Sequence, residues 1–86
     1  LDQYGGEVLN ALRAGRTVRI DDVGLHLDKA DFAAIAAVGV QALLSVPLLV
    51  DGALKVNLSV HQHEPRGWTD RDVSLVQEVA ERLWAE

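Results

Sequence analysis

Cysteine is absent from this 86-residue chain, which excludes disulfides, thiolate nucleophiles and zinc–thiolate sites. Clustered positive charge is absent too. The 8 basic residues are outnumbered by 13 acidic ones, for a net charge of −5, and no Lys/Arg run is present that could neutralise a phosphate backbone, so nucleic acid is not an expected partner. Long hydrophobic runs are also lacking. The most apolar stretch, Ala42 to Val50, falls short of the roughly 20 residues a spanning helix needs, so membrane insertion is not expected. There is no Ser-His-Asp order, glycine-rich phosphate loop or HExxH motif, no catalytic residue is assigned, and the chain is not expected to be an enzyme. Its opening, LDQYGGEVLN, has neither an initiator Met nor a signal-peptide block, which reads as a piece of a longer, cytoplasmic protein.

What is present suits one small folded domain over residues 1–86. Hydrophobic residues make up 49% and charged residues 24%, with no low-complexity tract, so a modest core is expected. Val8, Leu9 and Leu12 recur at helical spacing from Gly6 to Ala14, with Gly15 as a left-handed stop. Thr17 to Ile20 alternates as a half-buried strand, closed by the loop signal Asp21-Asp22. These two carboxylates point to opposite faces and do not form an acid–base pair. Asp28 to Val38 predicts a second helix with Phe32, Ile35, Ala36 and Val38 inward and Gly39 as its stop.

Residues 39 to 68 carry the most information. They predict a hairpin with one apolar face and a second face bearing Lys55, Asn57, Ser59 and His61. A two-residue Asp51-Gly52 loop would mix polar and apolar residues on both faces. A three-residue Val50-Asp51-Gly52 loop instead pairs Leu48 with Leu54, Val46 with Val56, Leu44 with Leu58 and Ala42 with Val60, and this register is expected. A polar row on the inner side of a strand calls for water, a ligand or a further segment. His61 and His63 could offer two imidazoles, with His26 a distant third, but no ligand set is completed and no metal site is assigned.

After Pro65, Trp68 is expected to pin the loop into a final helix N-capped by Thr69, with Asp72 three residues on. Val73, Val76, Ala80 and Leu83 form a stripe suited to cover the apolar sheet face, and Glu78 and Arg82 are spaced as an i,i+4 pair. Leu75, Val79 and Trp84 widen the apolar surface beyond one sheet contact. Val76, Leu83 and Trp84 are therefore expected at a homodimer interface.

The element order, together with GV-x-A-x-L-x-VPL-x-x-DG-x-L-x-V-x-L-x-V, LRAGRTVRIDDV, the PRGWT step and the EVAERLWAE ending, resembles the C-terminal part of a GAF domain, especially those feeding bacterial sensor histidine kinases. The resemblance implies an α+β fold: an antiparallel β-sheet flanked by helices, here without the family's N-terminal helix and first two strands. It also implies a small-molecule pocket on the polar sheet face. The hairpin is similar to that of bacterial phytochromes. Ser45 matches their pocket serine and His61 the first of two histidines, while Gln62 replaces the second; Asp22-Val23 resembles their Asp-Ile-Pro segment, and Asp31 falls where they have a pocket histidine. These departures, with no cysteine for covalent attachment, count against a bilin, and the cofactor is left unidentified.

The expected ligand-binding residues are Asp22, Ser45, Lys55, Asn57, Ser59 and His61. The expected function is a non-catalytic sensory domain relaying a signal through its last helix to a histidine-kinase-type output domain. The alternative is a ligand-free GAF-like dimerisation or spacer module.

Overall fold

The computed structural model describes residues 6–85. The elements, in order, are helix α1 (Gly6–Arg13), strand β1 (Val18–Ile20), a 3-10 turn (Val23–His26), helix α2 (Ala30–Ala37), strands β2 (Ala42–Val50) and β3 (Ala53–Gln62), and helix α3 (Asp70–Ala85). The strands form an antiparallel sheet in the order β1-β2-β3, so the chain is α+β as expected. α1 ends as its sequence predicts. Gly15 adopts φ 83°, and the bonds from Gly15 N–H to Leu12 O (3.0 Å) and Arg16 N–H to Ala11 O (2.9 Å) close a Schellman motif.

The hairpin corrects the expected register. Asp51 (φ 55°) and Gly52 (φ 81°) form a two-residue turn, with both central residues left-handed as the tight primed hairpin turn requires. Val50 pairs with Ala53 and Leu49 with Leu54; the register then shifts, so that Leu48 meets Val56, Val46 meets Leu58 and Leu44 meets Val60. Lys55 is the extra residue of a bulge. Every partner of β2 beyond it is thus displaced by two residues from the expected pairing. A displacement of two preserves parity, and the two faces keep the expected composition.

One face is closed by α3. Ala42, Leu44, Val46 and Trp68 form its buried cluster, and Val60, Val73 and Val76 pack against it. Thr69 caps α3 as its sequence predicts: Asp72 N–H donates to Thr69 Oγ1 (3.1 Å) and Thr69 N–H to Asp72 Oδ2 (2.9 Å). Leu83, expected over the sheet, is instead 56% exposed, because the buried contact ends at Ala80 and the last turn runs past it.

On the other face, Leu12, Val18 and Leu43 are buried together, with Val8, Ala11, Ile20, Ile35 and Leu54 packed around them. The second helix is shorter than expected. Asp28 and Lys29 precede it, and Val38, expected inward, is 75% exposed because it follows the last helical turn as the helix unwinds into Gly39. Asp31 is buried, and its Oδ2 accepts from Val8 N–H at 3.1 Å. A carboxylate from α2 thereby satisfies one of the first N–H groups of α1 and ties the two helices together.

Candidate functional site

The expected ligand row does not converge. Ser45 is only 2% exposed and its hydroxyl lies 2.7 Å from that of Ser59, its partner across the ladder. His61 stands opposite Leu43 and Asn57 opposite Pro47. Asn57, Ser59 and His61 are exposed, as is Lys55 at the bulge. Asp22 sits apart, capping the 3-10 turn through a 3.0 Å bond from Gly24 N–H to its Oδ1. His63 lies past the end of β3, its Nδ1 3.2 Å from Gly39 O. Among the described residues, no three His, Asp or Glu side chains are grouped to hold a metal.

A concave site on this sheet face lies at its other side, over β1. A cleft of about 350 Å³ opens between α1, β1 and the segment from the 3-10 turn into α2, lined by Val8, Ala11, Arg16, Val18, Ile20, His26, Lys29 and Phe32. Its volume is in the range of small-molecule sites. None of the six expected ligand residues lines it. Sequence reasoning missed it because its walls come from three separate elements, although the alternation Val18-Arg19-Ile20 was a usable signal: it aims two apolar side chains at one face.

The residue between them faces the opposite way and makes a second site legible. Arg19 pairs with Leu44 on the α3 side of the sheet. Its Nη2 donates to Trp68 O at 2.8 Å and its Nη1 to Asp70 Oδ1 at 2.9 Å. Trp68 Nε1 donates to Ile20 O (3.0 Å), Trp68 N–H to Asp21 Oδ1 (3.1 Å), and Arg66 N–H to Asp21 O (2.9 Å). The Arg66 guanidinium lies 4.8 Å from the Trp68 ring centre. Trp68 is 5% exposed and pins the loop into α3, as expected. The Arg19–Asp70 ion pair contributes little by itself, since Asp70 is 98% exposed; the bonds to the buried Trp68 hold the joint.

The joint continues into the helix cap. The Thr69 N–H bond and, more weakly, Arg66 hold the Asp72 carboxyl below its ordinary value of 3.8. Strand β1 therefore has two roles: Val18 and Ile20 wall the cleft, while Arg19, Ile20 O and Asp21 grip the start of α3.

The exposed side of α3 carries Leu75, Val79, Leu83 and Trp84, each 48–56% exposed. Of the three residues expected at a dimer interface, Leu83 and Trp84 lie on this surface, whereas Val76 is half-buried against the sheet cluster.

Sheet order, hairpin and flanking helices define an α+β domain built on an antiparallel sheet. The chain matches the GAF domain over residues 2–86 and belongs to that family. Among solved structures it is similar to the photoproduct state of GAF3 from Slr1393 of Synechocystis sp. PCC6803, with TM-score 0.78 and 24% identity over 96% of this chain and 54% of that one. It is also similar to the GAF domain of the cyanobacteriochrome TePixJ, with TM-score 0.67 and 28% identity over 93% of this chain and 56% of that one. A domain of a two-component sensor histidine kinase protein from Sinorhizobium meliloti 1021 shares the fold, with TM-score 0.65 and 19% identity over 79% of this chain and 48% of that one. An uncharacterized protein of Picosynechococcus sp. PCC 7002 is 29% identical over 95% of this chain and 51% of its own length. The chain thus spans about half the length of the relatives it matches. GAF domains are generally sensory or regulatory and typically non-catalytic. Among the described residues, no helix is long and apolar enough to cross a membrane.

Proposed function

We propose that this domain is a non-catalytic regulatory module in which a small molecule on the α1–α2 side of the sheet alters the setting of α3, and through it a histidine-kinase-type output. The observation that carries this reading is the shared strand: alternate side chains of Val18–Ile20 line the cleft and bond to the residues that begin α3. A ligand that fits one position of β1 better than another shifts the balance between two settings of the Trp68 joint; a ligand indifferent to them shifts nothing. The polar row of Asn57, Ser59 and His61, on the same face but on the far strand, is the open flank of this surface. Native mass spectrometry of the purified chain, repeated under denaturing conditions, tests the reading. A mass excess lost on denaturation supports a noncovalent ligand; a clean multiple of the 9.3 kDa chain counts against it.

A second reading, a ligand-free dimerisation or spacer module, is favoured by the exposed apolar stripe Leu75, Val79, Leu83 and Trp84. In that case Leu83→Glu yields monomers where the parent chain forms dimers, and a dimer that survives the substitution removes this support.

A further inference from the structure

We propose that the dipeptide Asp21-Asp22 couples the cleft to the α3 joint: the first residue grips the joint, the second grips the 3-10 turn beside the cleft, and the hold on Trp68 therefore depends on where the turn sits. This deepens the sensory reading above and rests on it for the use of the coupling, which is itself a property of the chain without a guest. The alternation of β1 runs on past the end of the strand. Asp22 is extended, with φ −147° and ψ 100°, and successive side chains of an extended backbone point to opposite faces. Asp21 Oδ1 accepts from Trp68 N–H (3.1 Å) and Asp21 O from Arg66 N–H (2.9 Å). Asp22 Oδ1 accepts from Gly24 N–H (3.0 Å) and Asp22 O from Leu25 N–H (3.1 Å). Each residue thus commits both its carboxylate and its carbonyl, Asp21 to the joint and Asp22 to the turn whose His26 walls the cleft.

The path between the two grips is short and stiff. Asp21 C=O and Asp22 N–H belong to one planar peptide unit, and Asp22 C=O belongs to the next together with Val23 N–H, which donates to Gln41 O at 2.8 Å. Only φ and ψ of Asp22 lie between the plane that holds Arg66 and the plane that holds the turn. Little slack surrounds them. Val23 is fully buried, and a Cβ added to Gly24 would lie 3.1 Å from Asp22 Oδ1. On the cleft side the His26 ring is set against Phe32, with centroids 5.6 Å apart at 52°, so a guest that moves either ring pulls on the turn. Displacement of the turn rotates the peptide planes at Asp22 and reaches the Arg66 and Trp68 bonds directly.

The test follows hydrogen exchange in the 86-residue chain at Trp68 N–H, Trp68 Nε1–H and Val73 N–H, the last bonded to Thr69 O in the first turn of α3. Asp22→Ala removes the cap of the turn and is expected to speed exchange at these α3-side groups by about fivefold. Asp22→Asn keeps an acceptor oxygen at the cap and should restore rates close to those of the parent chain. Gly24→Ala, which only displaces the Asp22 carboxylate, is the milder variant and should speed the same groups by about twofold or more. Ser59→Ala breaks a side-chain bond on the far strand and should leave them unchanged. Faster exchange confined to residues 23 to 28 in both turn variants overturns the coupling, as does an equal effect of Ser59→Ala, which would mark general loosening. Either result together with a releasable mass in the native chain leaves the sensory reading standing without this coupling. A native chain with no releasable mass counts against the sensory reading whatever the exchange rates.

Discussion

The two faces of the sheet are built from the same three strands but are finished differently. On the α3 face, Ala42, Leu44 and Val46 are 0–2% exposed and one amphipathic helix covers them, so little room is left. On the α1–α2 face, two short helices of eight residues each cover the centre and leave a cleft over β1 and an exposed polar row on β3. The single long helix closes its face, whereas the two short ones leave a cleft beside β1. Close packing and open surface are thus divided between the faces, and Val18–Ile20 is the strand that belongs to both.

The largest break in this contrast is expected at Trp68. Trp68→Ala removes a ring from the α3-side cluster and strands Ile20 O, at a cost of about 3–5 kcal/mol in urea unfolding; a loss below 1 kcal/mol would mean that the joint does not hold the fold. Ser45→Leu, on the opposite face, forces extra volume beside the Ser59 hydroxyl, and about 1–3 kcal/mol is expected by the same assay. Thr69→Ala opens the α3 cap for about 1 kcal/mol.

Asp72 adds a pH dependence of known sign. Its carboxyl is held below 3.8 in the folded chain, so its contribution is present above the ordinary carboxylate range and lost as pH falls through the lowered folded value. Asp72→Asn should flatten that part of the acid unfolding curve, and an unchanged curve would remove the role given to the cap. Arg19→Ala should speed amide exchange at the start of α3 while the β2–β3 hairpin stays protected; uniform exchange in both regions would show that β1 does not grip the helix separately. The smallest effect is expected at the polar row, where His61→Ala should change stability by no more than about 0.5 kcal/mol.

Much of this division was legible in the sequence, and the reasons are local. The Thr69–Asp72 cap and the Gly15 stop are encoded within a few residues, and both form as read. The apolar face of the hairpin follows from the period-two pattern. The pairing itself did not, because two loop solutions of the same parity differ only in whether an extra residue is placed in the turn or in a bulge. The cleft was hidden for another reason: Val8, Val18, His26 and Phe32 are apart in sequence and meet only through tertiary packing. The alternating polar residues of β3 are legible as one face of the strand, where Ser59 bonds Ser45 across the ladder and Lys55, Asn57 and His61 are exposed. The buried Asp31, aligned by resemblance with a pocket histidine, is occupied in joining α1 to α2.

The bulge at Lys55 also bears on how the hairpin tolerates changes of length. Because Leu49 pairs with Leu54 and Leu48 with Val56, Lys55 is surplus to the ladder. Deleting it would leave every other cross-strand pair intact and only straighten the ribbon. β3 therefore holds one residue in reserve, and a single-residue deletion close to the bulge can be absorbed there, whereas the same deletion in an unbulged strand would turn its remaining side chains to the wrong face.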